Sequence, residues 1–257
     1  MLLAIDIGNT HIVFGFIKNN NIVATYRLST FGNKTSDEYG VSLLQFIQLS
    51  GCTAKNIEDV IITSVVPQIL HILRDSIKKY LHINPLVVAP GVKTGIGIHI
   101  DDPKSLGADC LADCAGAYYE YGGNTLVADF GTATTFNFVN DQGTIINGLI
   151  APGIHTSAAS LWTNTAQLPE VEITKPNTIM ATNTQTAMQA GLFYNAIGGI
   201  EKIIQQFKLE IPQDFQVIAT GGLGRLVAQE SSCIDVYDEN LIFKGMLAIY
   251  NKNRARS

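Results

Sequence analysis

Short apolar runs, each closed by a glycine-containing turn, recur along the chain and read as buried strands. Leu2-Leu3-Ala4-Ile5 opens the sequence and stops at Asp6-Ile7-Gly8-Asn9-Thr10. Ile12 to Ile17 follows, Asn19-Asn20-Asn21 supplies a second turn, and Ile22 to Leu28 returns, which predicts a three-strand antiparallel meander. Thr35-Ser36-Asp37-Glu38 has the form of a helix cap with acidic first-turn residues, and Tyr39 to Leu49 repeats apolar residues at helical spacing. Val60 to Ser64 predicts a strand, Pro67 opens a helix to Tyr80, and Leu86 to Ala89 predicts a further strand. A glycine-rich segment from Gly91 to Pro103, tipped by Asp101-Asp102, precedes a helix predicted from Ser105 to Tyr121. Gly122-Gly123-Asn124 ends that helix and marks a domain boundary.

The second half repeats the opening pattern. Leu126 to Ala128 leads to Asp129-Phe130-Gly131-Thr132-Ala133-Thr134-Thr135, Thr134 to Val139 predicts the next strand, and Thr144 to Ile150 the return. A helix is expected from Ile154 toward Leu161, a polar stretch from Gln167 to Asn177, a long helix from Thr184 to Phe207, and a strand from Gln216 to Thr220. Gly221-Gly222-Leu223-Gly224 is a third strand-to-glycine turn, with a helix beginning at Arg225, and the last helix is expected from Glu239 to Asn251. The pattern divides the chain into domains of residues 1–121 and 122–257.

Twice, then, a core strand delivers an aspartate, followed two residues later by glycine and then by hydroxyl residues. Glycine lets a ligand approach the main chain, the amides and hydroxyls beyond it can donate to phosphate oxygens, and the carboxylate can hold a cation or its water shell. Either stretch alone also fits an ordinary hairpin. The repeat gives the carboxylates a chemical reading, because a hairpin has no need of one at the strand end in both halves. GxxxxGK[ST] is absent, and neither Gly95-Ile96-Gly97 nor Gly222-Leu223-Gly224 completes GxGxxG. The paired glycines Gly221 and Gly222 would let an adenine and ribose lie against the backbone. Asp109 and Asp113 share a helix face four residues apart; Asp109, just after Gly107, is a candidate general base for an attacking hydroxyl, with a capping or solvated aspartate as the plainer alternative.

Charge narrows the partners. The formal net charge is -5 over 257 residues and only 15% of residues are charged, so there is no broad basic field for nucleic acid. The longest apolar stretches fall short of a membrane span, and the first residues enter a strand without a basic leader, so a soluble cytoplasmic protein is expected. Cys52, Cys110, Cys114 and Cys233 form no CxxC pair, and His11, His71, His82, His99 and His155 form no HxH or HExxH pair.

Taken together, these stretches resemble the acetate-and-sugar-kinase, actin and heat-shock chaperone superfamily, and within it the type III pantothenate kinases. The similarity runs through Asp6-Ile7-Gly8-Asn9-Thr10, Thr35 with Asp37-Glu38-Tyr39-Gly40, Ser64-Val65-Val66-Pro67, Gly91-Val92-Lys93-Thr94-Gly95, the Asp129 stretch, Pro152-Gly153, Asn183-Thr184 with Met188-Gln189-Ala190-Gly191, and Ala219-Thr220-Gly221-Gly222-Leu223. The resemblance implies an α/β protein of two ribonuclease H-like (actin-like ATPase) domains with mixed sheets and an interdomain cleft. It implies ATP-dependent phosphorylation of pantothenate to 4'-phosphopantothenate, the first step toward coenzyme A, in a homodimer.

By position in the family pattern, Asp109 would be the general base. Asp6, Ile7, Gly8, Asn9, Thr10, His11, Ile12, Val13 and Thr132 would contact ATP, and Gly107, Ala108, Asp109, Cys110 and Thr184 would contact pantothenate. Asp129 would hold a monovalent cation (potassium or ammonium), and Asp6 the magnesium that accompanies ATP, through water. The family motif around the base reads Gly-x-Asp-Arg, whereas Cys110 holds the arginine place here, and Ile100 stands where many members carry tyrosine. An arginine–carboxylate contact contributes roughly 1.5–3 kcal/mol, so its loss would weaken substrate capture by about one to two orders of magnitude. The second reading that follows is a retuned relative, a nucleotide-binding regulatory factor or a kinase of another small alcohol.

Overall fold

A computed structural model describes residues 1–254. In chain order the elements are β1 (Leu2–Ile7), β2 (His11–Lys18), β3 (Asn21–Ser29), α1 (Ser36–Leu49), β4 (Asp59–Ser64), α2 (Pro67–Leu81), β5 (Leu86–Val87), β6 (Gly97–Ile98), α3 (Ala108–Tyr121), β7 (Thr125–Phe130), β8 (Ala133–Val139), β9 (Thr144–Ile145), β10 (Leu149–Pro152), α4 (Ile154–Thr163), α5 (Thr184–Glu210), β11 (Gln216–Thr220), α6 (Gly224–Glu230), β12 (Val236–Tyr237) and α7 (Leu241–Arg254). They form two compact units, one of residues 1–121 with the segment from Asn240 onward, the other Gly122–Glu239. No helix among the described residues is long and apolar enough to cross a membrane.

The first unit holds a mixed sheet in the order β3-β2-β1-β4-β5. The meander β1-β2-β3 is antiparallel, while β4 and β5 run parallel to β1 and to each other in turn. Side chains alternate across a strand, so Leu3, Ile5, Ile7, Ile12, Phe14 and Phe16 point to one face with Tyr39 and Leu43 of α1 and Leu73 of α2. Leu2, Ala4 and Ile61 point to the other, where α3 and α7 lie through Ala112, Ala115, Phe243 and Met246. Helix α1 begins at a capping box: Thr35 Oγ1 accepts from the Glu38 amide at 3.3 Å, and Glu38 Oε2 accepts from the Thr35 amide at 2.7 Å. Such a cap contributes about 1 kcal/mol.

Helix α7 belongs to this unit because it meets α3 backbone to backbone. A Cβ on Gly245 would fall 1.8 Å from the Ala112 carbonyl oxygen, and one on Gly116 2.4 Å from that of Leu241. Paired glycines thus bring the two helices closer than any side chain permits. The sequence division, which runs the second domain to residue 257, differs here: a periodicity pattern locates a helix but does not say against which sheet it packs.

The second unit repeats the topology, in the order β12-β11-β7-β8, with β7–β8 antiparallel and β11 parallel to β7. Its core joins Leu126, Ala128, Phe136 and Phe138 to Phe193, Ile197 and Ile204 of α5. The expected return strand from Thr144 to Ile150 is broken into β9 and β10, both paired with β8. At the break Asn147 Oδ1 accepts from the Phe138 amide at 2.7 Å, so a side chain takes the place of a ladder carbonyl. Helix α3 begins at Ala108 rather than Ser105, because a 3₁₀ turn, Pro103–Ser105, capped by Asp102, intervenes. The last helix runs three residues beyond the expected Asn251. Strand β12 is a two-residue addition the pattern does not signal.

Candidate functional site

Asp6 is the penultimate residue of β1, next to its C-terminal edge. Its direct neighbour on the parallel strand is Thr63, whose hydroxyl donates to Asp6 Oδ1 at 2.9 Å. Thr63 is fully buried and also lies 3.7 Å from the Met246 sulfur, so the carboxylate is oriented from beneath by a core hydroxyl. Beyond Asp6 the chain turns tightly, with the Gly8 amide donating to the His11 carbonyl at 3.0 Å. Thr30 fixes the turn from the side: its hydroxyl donates to the Gly8 carbonyl at 2.7 Å and its amide to the Thr10 carbonyl at 2.9 Å. Asn9 and His11 are exposed, and Gly8, Thr10 and Val13 partly so. Ile7 and Ile12 are fully buried in the core below, which leaves them to shape the turn rather than to touch a ligand with their side chains.

Asp109 lies in the first turn of α3 and is half-buried. Its Oδ1 accepts from the Cys110 amide at 2.8 Å, and a Cβ on Gly107 would sit 2.2 Å from that oxygen and 3.8 Å from Val65 Cγ1. Gly107 therefore keeps room for the carboxylate, and the short distance to Val65 places it near the end of β4. Asp109 and the Asp6 turn thus belong to the same unit, on elements joined through β4. Asp113, one helical turn on, is buried inside the unit. Cys114 is fully buried, and burial foremost, with the neighbouring Cys110 and Asp113 adding to it, pushes its thiol well above the ordinary range.

In the second unit Asp129 occupies the position of Asp6. It is the penultimate residue of β7, it pairs with Thr135 across the hairpin, and its neighbour on the parallel strand is Thr220. The turn is one residue tighter, the Gly131 amide donating to the Ala133 carbonyl at 3.1 Å, and it leaves Thr132 exposed at the tip. The Thr156 hydroxyl of α4 donates to the Thr132 carbonyl at 2.6 Å. Gly221 follows Thr220 with φ 85°, and a Cβ there would lie 2.3 Å from Asp129 Oδ1 and 2.7 Å from the Phe130 amide nitrogen.

Thr184, exposed, is the first residue of α5, behind the cap in which Asn183 Oδ1 accepts from the Thr186 amide at 2.9 Å. It borders a cavity of about 720 Å³ shared with Ser157, Ser160, Leu161 and Met188, a mixed surface of hydroxyls and methyls that suits a small branched polar molecule. Among the described residues no group of three or more His, Cys, Asp or Glu side chains is arranged to hold a metal. The residues beneath the turns, Thr63, Thr30 and Thr156, are absent from the sequence reading. Thr63 alone had a sequence signal: it lies within a predicted strand, and only the register sets it opposite Asp6.

Comparison with known proteins bears on the family and the fold. Residues 2–206 match the family model of the type III pantothenate kinases. The chain is 58% identical over 253 residues to a type III pantothenate kinase of Bifidobacterium adolescentis, covering 98% of this chain and 99% of that one. It is 45% identical over 257 residues to one of Agathobacter rectalis, covering 100% and 99%. Among solved structures, the activator of 2-hydroxyisocaproyl-CoA dehydratase from Clostridium difficile, with bound ADPNP, superposes with a TM-score of 0.59 at 13% identity, covering 99% of this chain and 96% of that one. Component A of (R)-2-hydroxyglutaryl-CoA dehydratase from Acidaminococcus fermentans gives 0.52 at 16% identity, with 99% of each chain covered. These structural likenesses show the fold: both units are ribonuclease H-like.

Proposed function

Because the chain belongs to the type III pantothenate kinase family, we propose that its phosphoryl transfer is run by the Asp6 turn, the Asp129 turn and the start of α3. The enzyme phosphorylates pantothenate with ATP, in the synthesis of coenzyme A. Phosphoryl transfer asks a protein chiefly for positioning and for charge stabilisation. Asp109 takes the proton of the attacking hydroxyl, and its carboxylate is pre-aimed by the Cys110 amide and by the space that Gly107 leaves. The amides and hydroxyls of Asn9, Thr10 and Thr132 receive phosphate oxygens, and Gly107, Ala108, Cys110 and Thr184 meet pantothenate.

Two cations fit these turns. Asp6, fixed by Thr63 at a strand end, suits the water shell of the magnesium that enters with ATP, whose charge offsets that of the phosphates. Asp129 faces the bare backbone of Gly221, where a Cβ would fill the space beside its carboxylate. A carboxylate beside bare main chain suits potassium or ammonium, and neither cation needs a multi-carboxylate cluster.

A homodimer is the second part of the reading. Helix α5 carries Gly198 and Gly199, and a Cβ on either would meet nothing within 4 Å. Each such glycine costs about 1 kcal/mol in helix propensity relative to alanine with no return inside this chain, while Tyr194 on the same helix is 43% exposed. A second copy packed on α5 accounts for them.

The observation that carries the activity is the near full-length match to the family, and the test is pantothenate-dependent release of ADP. Wild type is expected to turn over and Asp109→Asn to lose turnover by about 10²–10⁴-fold while still binding ATP. Absence of turnover at millimolar pantothenate with potassium and magnesium present would defeat the assignment. Cys110→Arg sharpens it, since the added guanidinium is expected to lower the KM for pantothenate about tenfold.

A further inference from the structure

The strands of the first sheet carry two lysine or arginine side chains, Lys18 and Arg27. Lys18 ends β2 at the turn into β3, at the opposite edge from Asp6. Arg27 is placed by register: Asp6 pairs with Val13 and Val13 with Arg27, while on its other side Asp6 pairs with Thr63. Residues in register share a face of the sheet, so Thr63, Asp6, Val13 and Arg27 form one row across four strands. That face is the one α3 and α7 cover. Thr63 lies 3.7 Å from the Met246 sulfur, and Val13 packs against the cluster of Ala112, Phe243 and Met246. Tyr26 and Leu28, on either side of Arg27, belong to the cluster on the other face.

Helix α7 reaches Gly15, the next residue along that face of β2, where an added Cβ would fall 2.7 Å from the Phe243 ring. Arg27, at the outer end of the row, is exposed. Among the described residues its guanidinium enters no ion pair and lies over no aromatic ring. Lys79 and Lys244 of the same unit are paired with Asp37 and Glu120. A charge anywhere on β3 would protect the edge of the sheet, but only residue 27 of that strand stands in the row of Asp6. The chemistry of the turn gives it a use. The Asp6 turn offers a phosphate neutral amides and hydroxyls together with a carboxylate, and Asp109 adds a second carboxylate to the same unit. A triphosphate brought there needs positive charge that the turn itself lacks. Adjacent strands are about 4.8 Å apart, so the Arg27 backbone stands about 10 Å from that of Asp6, a gap an arginine side chain largely spans.

We propose that Arg27, two strands from Asp6 in the same row, binds the terminal phosphate of ATP and stabilises its oxygens during transfer. A guanidinium can donate two hydrogen bonds at once to a phosphate. This deepens the kinase reading and rests on it for the identity of the nucleotide. The bond between the γ-phosphorus and the β–γ bridging oxygen breaks, and ADP leaves with that oxygen. The new bond forms from the acceptor hydroxyl oxygen to the γ-phosphorus, and the hydroxyl proton passes to Asp109. Arg27 stays protonated throughout and exchanges no proton.

Calorimetric titration of the full-length protein, with magnesium, against ATP and ADP, together with steady-state pantothenate turnover, separates this role from a structural one. Arg27→Ala is expected to lower kcat by about 10²–10³-fold, the range for losing a donor to transition-state charge. It should weaken ATP about tenfold and leave ADP within about twofold. Its thermal midpoint should stay within about 2 °C of wild type, because the side chain is exposed. Arg27→Lys keeps a cation and should recover about tenfold or more of the lost kcat, and Arg27→Gln none of it. The proposal is overturned if Arg27→Ala leaves kcat and ATP binding within about twofold of wild type. It is equally overturned if that variant weakens ATP and ADP alike, or if the lysine and glutamine variants behave the same. If the wild type binds both nucleotides but does not phosphorylate pantothenate, the acceptor assignment falls, and the ATP-to-ADP affinity ratio alone decides on Arg27.

Discussion

The turns at Asp6 and Asp129 occupy the same place in two copies of one topology, and their surroundings differ. Each aspartate is the penultimate residue of a strand with an antiparallel hairpin on one side and a parallel strand on the other, and in each case that parallel neighbour is a threonine. Around Asp6, the Thr63 hydroxyl donates to the carboxylate and the next residue on the strand, Ser64, has a side chain that accepts from the Val66 amide at 3.1 Å. Around Asp129, the next residue is Gly221, pressed against the carboxylate with no side chain of its own. The repeat duplicates the position of a charge, while the residue after the neighbouring threonine gives each carboxylate a different setting.

The largest expected break in this comparison comes from Gly221→Ala. A side chain there meets both an unfavourable φ and the Asp129 oxygen, a combination of strain and overpacking that costs about 2–5 kcal/mol. The thermal midpoint should fall by several degrees and turnover should fall with it. The matching change in the other half, Ser64→Gly, should cost at most about 1 kcal/mol, because only the local cap at Val66 is lost. Equal effects would mean the two turns are not distinguished by this residue.

A smaller effect tests the other side. Thr63→Val removes a hydroxyl that donates to a carboxylate, an interaction of about 1.5–3 kcal/mol, and should lower kcat/KM for ATP by about tenfold or more, with Thr63→Ser recovering most of it. Smaller still is a pH effect confined to the first unit. The folded protein holds the Cys114 thiol above its unfolded value because burial disfavours the thiolate. The native state therefore keeps a proton that the unfolded chain releases, and stability is fully present below about pH 9 and lost as pH rises above it. Denaturation midpoints between pH 8 and 10 should fall for the wild type and flatten for Cys114→Ala.

Much of this was legible in the chain because it is local. An apolar run that stops at Asp-x-Gly announces both strand and turn, so Asp6 and Asp129 could be named as candidates, and Gly107 ahead of Asp109 made that carboxylate a third candidate. What the chain conceals is set by register and tertiary packing. Thr63 reads as one more strand residue until β4 is aligned with β1. Arg27 joins the row of Asp6 only when β3 and β2 are aligned with β1. The membership of α7 in the first unit depends on Gly116 and Gly245, two helix glycines separated by 129 positions, whose meaning no periodicity carries. The interruption of the second return strand has the same origin, an asparagine side chain standing in for a backbone acceptor.

The division of labour between the two turns is tested most directly by titrating potassium into the pantothenate-dependent ADP assay with wild type, Asp6→Asn and Asp129→Asn in parallel. Wild-type turnover should rise with potassium. Asp6→Asn should be slower by about 10²-fold or more, as expected for loss of a group that places charge at the transferring phosphoryl, yet keep the same relative response to potassium. Asp129→Asn should lose the potassium response itself. If Asp129→Asn responds to potassium as the wild type does, or if Asp6→Asn alone abolishes the response, the assignment of the monovalent cation to the second turn is wrong.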